Sequence, residues 1–218
     1  MARWQIEDVI FKKEVENNMK INYERLEFIE KDWKKKYSEY DQIFDFGRNL
    51  GKKHLDFGCG FGAFLKILAD KYPKKEFYGV DMDKDELSIG KKIYKNKNLH
   101  LSGLNSVYGK EKFDSVSFFF VLHEIEDIIN VLRQVREMLN KDAKIMVYDF
   151  RRVSREKFRK KYDSDKIHQE NGFEEEYREH NKWITDEFEN LMKKVRFKTI
   201  DLSSQGDFFL SYLGEKTW

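Results

Sequence analysis

The chain has 218 residues, 40% hydrophobic and 38% charged, with a formal net charge of +2. That length suits one α/β unit with additions and a sizeable core, and the near-balanced charge excludes the global basic field of a nonspecific nucleic-acid binder. One cysteine excludes an internal disulfide framework and any cysteine-based metal cluster. No apolar run nears the roughly 18 residues that a membrane span needs. The start, residues 1–8, lacks the apolar core of a signal peptide, so no membrane partner is expected and the cytoplasm is the expected compartment.

Residues 1 to about 50 read as a helical cap. Leu26, Ile29, Trp33 and Tyr37 recur near helical spacing among Lys, Glu and Asp. The segment is rich in aromatics, including Trp4, Phe11, Tyr23, Phe28, Trp33, Tyr40, Phe44 and Phe46. They suit a layer buried on the core, and some of them suit the roof of a ligand pocket.

The next unit, 51–150, alternates strands and helices. His54-Leu55-Asp56-Phe57 is a short apolar strand that runs into the glycine-dense turn Gly58-Cys59-Gly60-Phe61-Gly62. A helix follows from Ala63 to about Tyr72, which Pro73 helps to end. Phe77 to Val80 is a second strand, closed by Asp81. Asp83 and Glu86 have capping-box spacing ahead of a helix to about Lys95. Leu99–Leu101 is a third strand and Phe113–Leu122 a fourth, whose continuous run from Phe118 suits burial on both faces. Ile128, Val131, Leu132, Val135, Met138 and Leu139 mark one face of an amphipathic helix, and Lys144–Phe150 is a fifth strand. Such alternation implies a mostly parallel sheet with helices on both faces.

The pattern breaks over 151–184. Residues 151–161 carry seven basic side chains against one acidic, and Glu174-Glu175-Glu176 follows. This insertion reads as helical without a strand partner, either solvated or lying as a lid over the sheet's carboxyl edge. Residues 185–218 complete the core. Thr185 suits a helix N-cap, Phe188, Leu191, Met192 and Val195 share one face, and Phe197–Leu202 and Phe208–Leu213 form a closing antiparallel hairpin.

A glycine turn between strand and helix, with an acid about twenty residues later, is how a nucleotide-type cofactor site is written. Gly58, Gly60 and Ala63 satisfy the loose dinucleotide pattern, so nicotinamide or flavin binding has to be weighed. Asp56 inside the motif, where a carboxylate can take an ammonium group, favours another ligand, as does a chain that leaves no second domain for a hydride acceptor.

Asp56-Phe57-Gly58-Cys59-Gly60-Phe61-Gly62 resembles motif I of the class I S-adenosylmethionine-dependent methyltransferases. Gly79-Val80-Asp81-Met82-Asp83 is similar to their second motif. Phe113-Asp114-Ser115-Val116, followed by Val121-Leu122-His123-Glu124-Ile125, resembles their fourth strand and its exit loop. The resemblance covers about residues 50–150 and 185–218. It implies a three-layer αβα sandwich with a seven-stranded, mostly parallel sheet ending in an antiparallel hairpin, here with an N-terminal helical cap. It also implies S-adenosylmethionine as cofactor and S-adenosylhomocysteine as product.

By that resemblance Asp56 would hold the amino group, and the Gly58–Gly62 backbone would pass under sulfonium and ribose. Asp81 would accept from both ribose hydroxyls, and Met82 would pack on adenine. Where the family often has an acid near the adenine amine, Leu104 and Asn105 stand, so Asn105 offers only a neutral acceptor. Cys59 and Val121 complete the expected cofactor set, Cys59 as a small packing residue. His123 lies where the fourth strand meets the methyl group, as a base or as pocket lining, and Glu124 has a weaker claim to the same roles.

Methyl transfer is an in-line displacement that needs alignment more than acid–base help, so a strong catalytic signature is not required. The fourth strand's exit lacks the Asn/Asp-Pro-Pro-Tyr/Phe loop of exocyclic-amine methyltransferases and the Pro-Cys nucleophile of pyrimidine carbon-5 enzymes. A small-molecule acceptor is therefore expected. The basic stretch at 151–161 keeps an RNA or protein substrate as the alternative. A non-catalytic cofactor-binding protein or a nicotinamide enzyme is the third reading.

Overall fold

The computed structural model describes residues 3–164 and 172–217, with side chains from residue 24 onward. Seven strands form one sheet: β1 (Lys53–Phe57), β2 (Glu76–Val80), β3 (Leu99–Ser102), β4 (Phe113–Phe119), β5 (Leu139–Phe150), β6 (Phe197–Gln205) and β7 (Phe209–Lys216). Their order is β3-β2-β1-β4-β5-β7-β6. The first five run parallel, and β7 pairs antiparallel with both β5 and β6. Strand order reverses between β1 and β4, so their carboxyl ends open the crevice where ligands of doubly wound sheets sit.

Helices cover both faces. On one lie α1 (Arg3–Phe44), α2 (Phe46–Asn49), α3 (Ala63–Lys71) and α4 (Lys84–Ile93), packed on Phe77, Phe119, Met146 and Tyr148. On the other, α5 (Ile128–Glu137) and α8 (Thr185–Lys194) bury Leu132, Val135, Phe188 and Met192 against Leu55, Val116, Phe118 and Val147. The period of two along β4 explains the split: Val116 and Phe118 serve one core, Ser117 and Phe119 face the other.

The docked part of α1 presents Leu26, Ile29, Trp33, Tyr37, Tyr40 and Phe44 at spacings of three and four, a single helical stripe. Trp33 lies 4.7 Å from the Phe64 ring, and Tyr94 donates to Glu30 at 2.7 Å. The side chains of Trp4, Phe11 and Tyr23 lie outside the described residues.

The insertion contributes α6 (Arg155–Ser164) and α7 (Phe173–His180), joined through Phe158, Phe173 and Tyr177. Residues 165–171 of this expected lid lie outside the described residues. Among the described residues, no helix is long and apolar enough to cross a membrane.

Several expected boundaries differ. The fourth strand stops at Phe119, because Phe120 turns to φ 56° and residues 122–124 form a 3-10 turn. The fifth strand begins at Leu139, five residues early. The cap of α8 falls at Ile184 without a side-chain bond, so Thr185 is not the N-cap. Asp186 and Glu187 in its first turn complement the helix dipole instead. Only half of the capping box forms: Asp83 accepts from the amides of Asp85 and Glu86, while Glu86 turns away to pair with Arg25 at 2.9 Å.

Candidate functional site

The carboxyl ends of β1 and β2 are tied together by the glycine turn. The amides of Gly58 and Cys59 both donate to the Val80 carbonyl, at 2.8 and 3.1 Å. Gly58 has φ 78°, and a Cβ there would lie 2.4 Å from Cγ2 of Val121. The position therefore needs glycine for both conformation and space. Val121, just beyond β4, is thereby pressed onto the turn.

Asp81 follows β2 and braces the turn from below. One carboxylate oxygen accepts from the Gly60 amide at 2.7 Å, the other from the Asp83 amide at 2.9 Å. Each oxygen keeps a further lone pair for a ligand hydroxyl. Next to it, Met82 is 95% exposed, a large apolar side chain at the crevice rim. Leu104 and Asn105 stand on the 3-10 turn beyond β3, Leu104 half-buried and Asn105 exposed.

Asp56 is buried at the end of β1, its Oδ1 within hydrogen-bond distance of the Ser117 hydroxyl. Burial pushes its carboxyl up to about 7, with a further push from Asp81. Cys59 packs in the turn, its thiol pushed well up by burial and by the neighbouring acids Asp56, Asp81 and Glu86. Such a thiol is no nucleophile near neutral pH.

A second cluster forms where β4 leaves the sheet. His123 is 5% exposed, and its Nδ1 lies 2.7 Å from Oδ1 of Asp149, near the end of β5. Asp149 also accepts from the backbone amides of His123 and Phe150, at 3.2 and 2.7 Å. From the insertion, α7 brings the His180 ring to 4.7 Å from that of His123. Burial holds His180 below the usual histidine range, and His123 adds to that effect. Glu124 Oε1 stands 3.8 Å from Nε2 of His123, its carboxyl raised by burial.

Beside this cluster lies a cavity of about 270 Å³ lined by Tyr40, Phe120, Tyr148 and Phe209, with Gln205, Gly206, Lys36 and Glu39 completing its wall. Phe150 links the two: its ring lies 4.9 Å from His123 and 5.8 Å from Phe120. Phe120 holds its left-handed backbone through a bond from its amide to the Tyr148 carbonyl at 2.9 Å. A non-glycine residue in that region costs about 1–2 kcal/mol and marks a constrained position.

Asp56, Gly58, Cys59, Gly60, Gly62, Asp81, Met82, Leu104, Asn105 and Val121 thus all stand along the carboxyl edge of β1 to β4, and His123 stands beyond β4. Sequence reasoning missed Asp149, although an acid closing the apolar run of β5 is a readable signal. It also missed His180 and the left-handed Phe120, which no local pattern announces.

The family described as a methyltransferase domain matches residues 25–202. The chain is 36% identical over 100 residues to an uncharacterized protein of Rickettsia prowazekii, covering 40% of this chain and 38% of that protein. It is 26% identical over 133 residues to demethylmenaquinone methyltransferase of Geobacillus sp., covering 51% of this chain and 57% of that enzyme. The chain spans about half the length of the curated relatives it matches. Human N-acetylserotonin methyltransferase, solved in complex with S-adenosylmethionine, shares the fold with a TM-score of 0.65 at 15% identity, over 90% of this chain and 57% of that one. The chain belongs to the methyltransferase domain family, and its fold is the class I, Rossmann-like fold of the S-adenosylmethionine-dependent methyltransferases.

Proposed function

We propose that this protein transfers a methyl group from S-adenosylmethionine to the hydroxyl of a small aromatic acceptor. The observation that carries the acceptor class is the aromatic cavity beside His123. Four aromatic rings line it, and its 270 Å³ is close to the roughly 300 Å³ lower limit of small-molecule sites. The phenol groups of Tyr40 and Tyr148 have no hydrogen-bond partner among the described residues, although both rings are buried. They are free to orient a polar substituent.

The residues present fit the cofactor. Asp56 offers an acid to the ammonium group, the glycine turn admits a ligand against its backbone, and both oxygens of Asp81 retain acceptor capacity for a ribose diol. Met82 stands ready to cover the adenine, with Asn105 and Leu104 at its edge. When bound, the cofactor supplies an electrophilic methyl group on a sulfonium.

The chain's own part is to bind, orient and deprotonate the acceptor. Asp149 accepts the Nδ1 proton of His123, which leaves Nε2 as the lone-pair nitrogen. That nitrogen would take the hydroxyl proton of the acceptor. From the expected lid, α7 seats His180 against the base.

Calorimetry with S-adenosylhomocysteine and NAD, then methyl transfer from labelled S-adenosylmethionine to phenols and naphthols, tests the reading. S-adenosylhomocysteine should bind, NAD should not, and label should appear on a hydroxyl. NAD binding without S-adenosylhomocysteine binding would overturn it.

A further inference from the structure

A polar ladder crosses the sheet directly beneath the glycine turn. His54 and Asp56 flank Leu55 on β1, so both project onto the face covered by α1 to α3. Ser115 and Ser117 stand opposite them on β4, in register. Ser115 Oγ donates to the Leu50 carbonyl at 2.5 Å. His54 Nδ1 lies 2.8 Å from Ser115 Oγ, and its Nε2 lies 3.0 Å from Ser117 Oγ. Ser117 Oγ meets Asp56 Oδ1. His54 is 1% exposed and both serines are fully buried, so each contact needs its own proton.

Counting protons from the closed end fixes the rest. The Leu50 carbonyl only accepts, so it takes the Ser115 hydroxyl proton. His54 must then donate to Ser115 through Nδ1–H, and a neutral ring has a bare Nε2. That nitrogen takes the Ser117 proton. The last contact is then donated by the carboxyl of Asp56, which is protonated. Ionising Asp56 leaves a neutral ladder one proton short, with one contact between two acceptors.

We propose that His54, Ser115 and Ser117 are positioning residues that hold Asp56 protonated in the free protein, so that seating a cationic ammonium on Asp56 expels one proton. The identity of that cation rests on the cofactor reading above; the ladder itself does not. Burial acts in the same direction, raising Asp56 to about 7 and lowering His54 to about 3, the latter with help from Lys75. The other ionisable groups facing Asp56 are Asp81 at the end of β2, which also raises it, and the Cys59 thiol in the turn. Moving the proton to His54 would place an imidazolium in the interior close to the arriving ammonium. Release to solvent is the favoured course.

The ladder is tested at two levels. In the free protein, infrared difference titration should show a protonated-carboxyl band that disappears near neutral pH and is absent in Asp56→Asn. Calorimetry of S-adenosylhomocysteine in buffers of different ionisation enthalpy should then show nearly one proton released at pH 6. Binding should be about tenfold weaker at pH 6 than at pH 8, because a proton competes for the carboxylate.

Ser115→Ala is the decisive variant, because Ser115 touches neither Asp56 nor the crevice. Without it His54 is free to carry its proton on Nε2, Ser117 turns to the carboxylate, and the band and the proton release should both move to lower pH. His54→Leu should do the same and guards against a folding defect in the first variant. A missing band, or a titration unmoved in both variants, overturns the ladder. If the band titrates and shifts while S-adenosylhomocysteine fails to bind, the ladder stands and the methyltransferase reading falls.

Discussion

Asp149 contributes little to a list of polar residues and a great deal to the chemistry proposed for His123. It sits near the end of β5, fully buried, with its Oδ1 2.7 Å from Nδ1 of His123, and it accepts from two backbone amides. Replacing it by Asn keeps the shape but offers the ring a donor, so His123 would switch to the tautomer with its lone pair on Nδ1. Asp149→Asn should lower kcat on a phenolic acceptor by about 10²–10⁴-fold, the range for a lost general base, with S-adenosylhomocysteine affinity unchanged. Steady-state kinetics with calorimetry checks this, and an unchanged kcat would reduce His123 to pocket lining. The residues that touch the cofactor in this reading were legible because glycines and acids at fixed offsets are local signals. The partners of His123 and of Asp56 were not, since Asp149, Ser117 and His54 acquire meaning only through cross-strand register, and register is not written locally.

Among the elements, α1 is the one whose role the periodicity declared most openly. Its stripe from Leu26 to Phe44 lies on α3 and β4, and Trp33 touches Tyr40, Phe64 and Phe119 at 5.3, 4.7 and 5.8 Å between ring centroids. Trp33→Ala should cost about 3 kcal/mol, the low end for a large aromatic because the ring is only partly buried. Denaturant unfolding reads it directly, and a loss below about 1 kcal/mol would mean that the helix is not docked in solution. Strands and helices of 51–150 were legible because apolar period and turn residues agree there. The errors gather at ends: the run Phe118 to Leu122 reads as one strand, yet Phe120 leaves the sheet after two residues. Tertiary context, the bond to Tyr148 and the rings around it, overrides the local preference.

For the whole molecule, the distribution of charge bears on the choice between a small acceptor and a nucleic acid. The stretch at 151–161 looks like a phosphate-binding surface in the sequence. Folded, Arg151 bonds Ser204, Arg152 pairs with Glu187, Arg155 with Glu174, Lys157 with Asp207 and Lys160 with Glu156. Arg159 lies over the Phe173 ring at 3.2 Å. Surface ion pairs are individually weak, about 0–1 kcal/mol, but the four at Arg152, Arg155, Lys157 and Lys160 each place a carboxylate beside a cation that would otherwise face phosphate. Together with a net charge of +2, this leaves little field to draw a polyanion. A protein that neutralised six or more phosphates would lose about 10³-fold or more in affinity between 50 and 200 mM salt. Here fluorescence titration with tRNA should show no saturable binding at 50 mM salt. Saturable binding with a steep salt slope, weakened by reversing Lys157 and Lys160 to Glu, would instead make residues 151–184 a nucleic-acid platform and return the RNA reading.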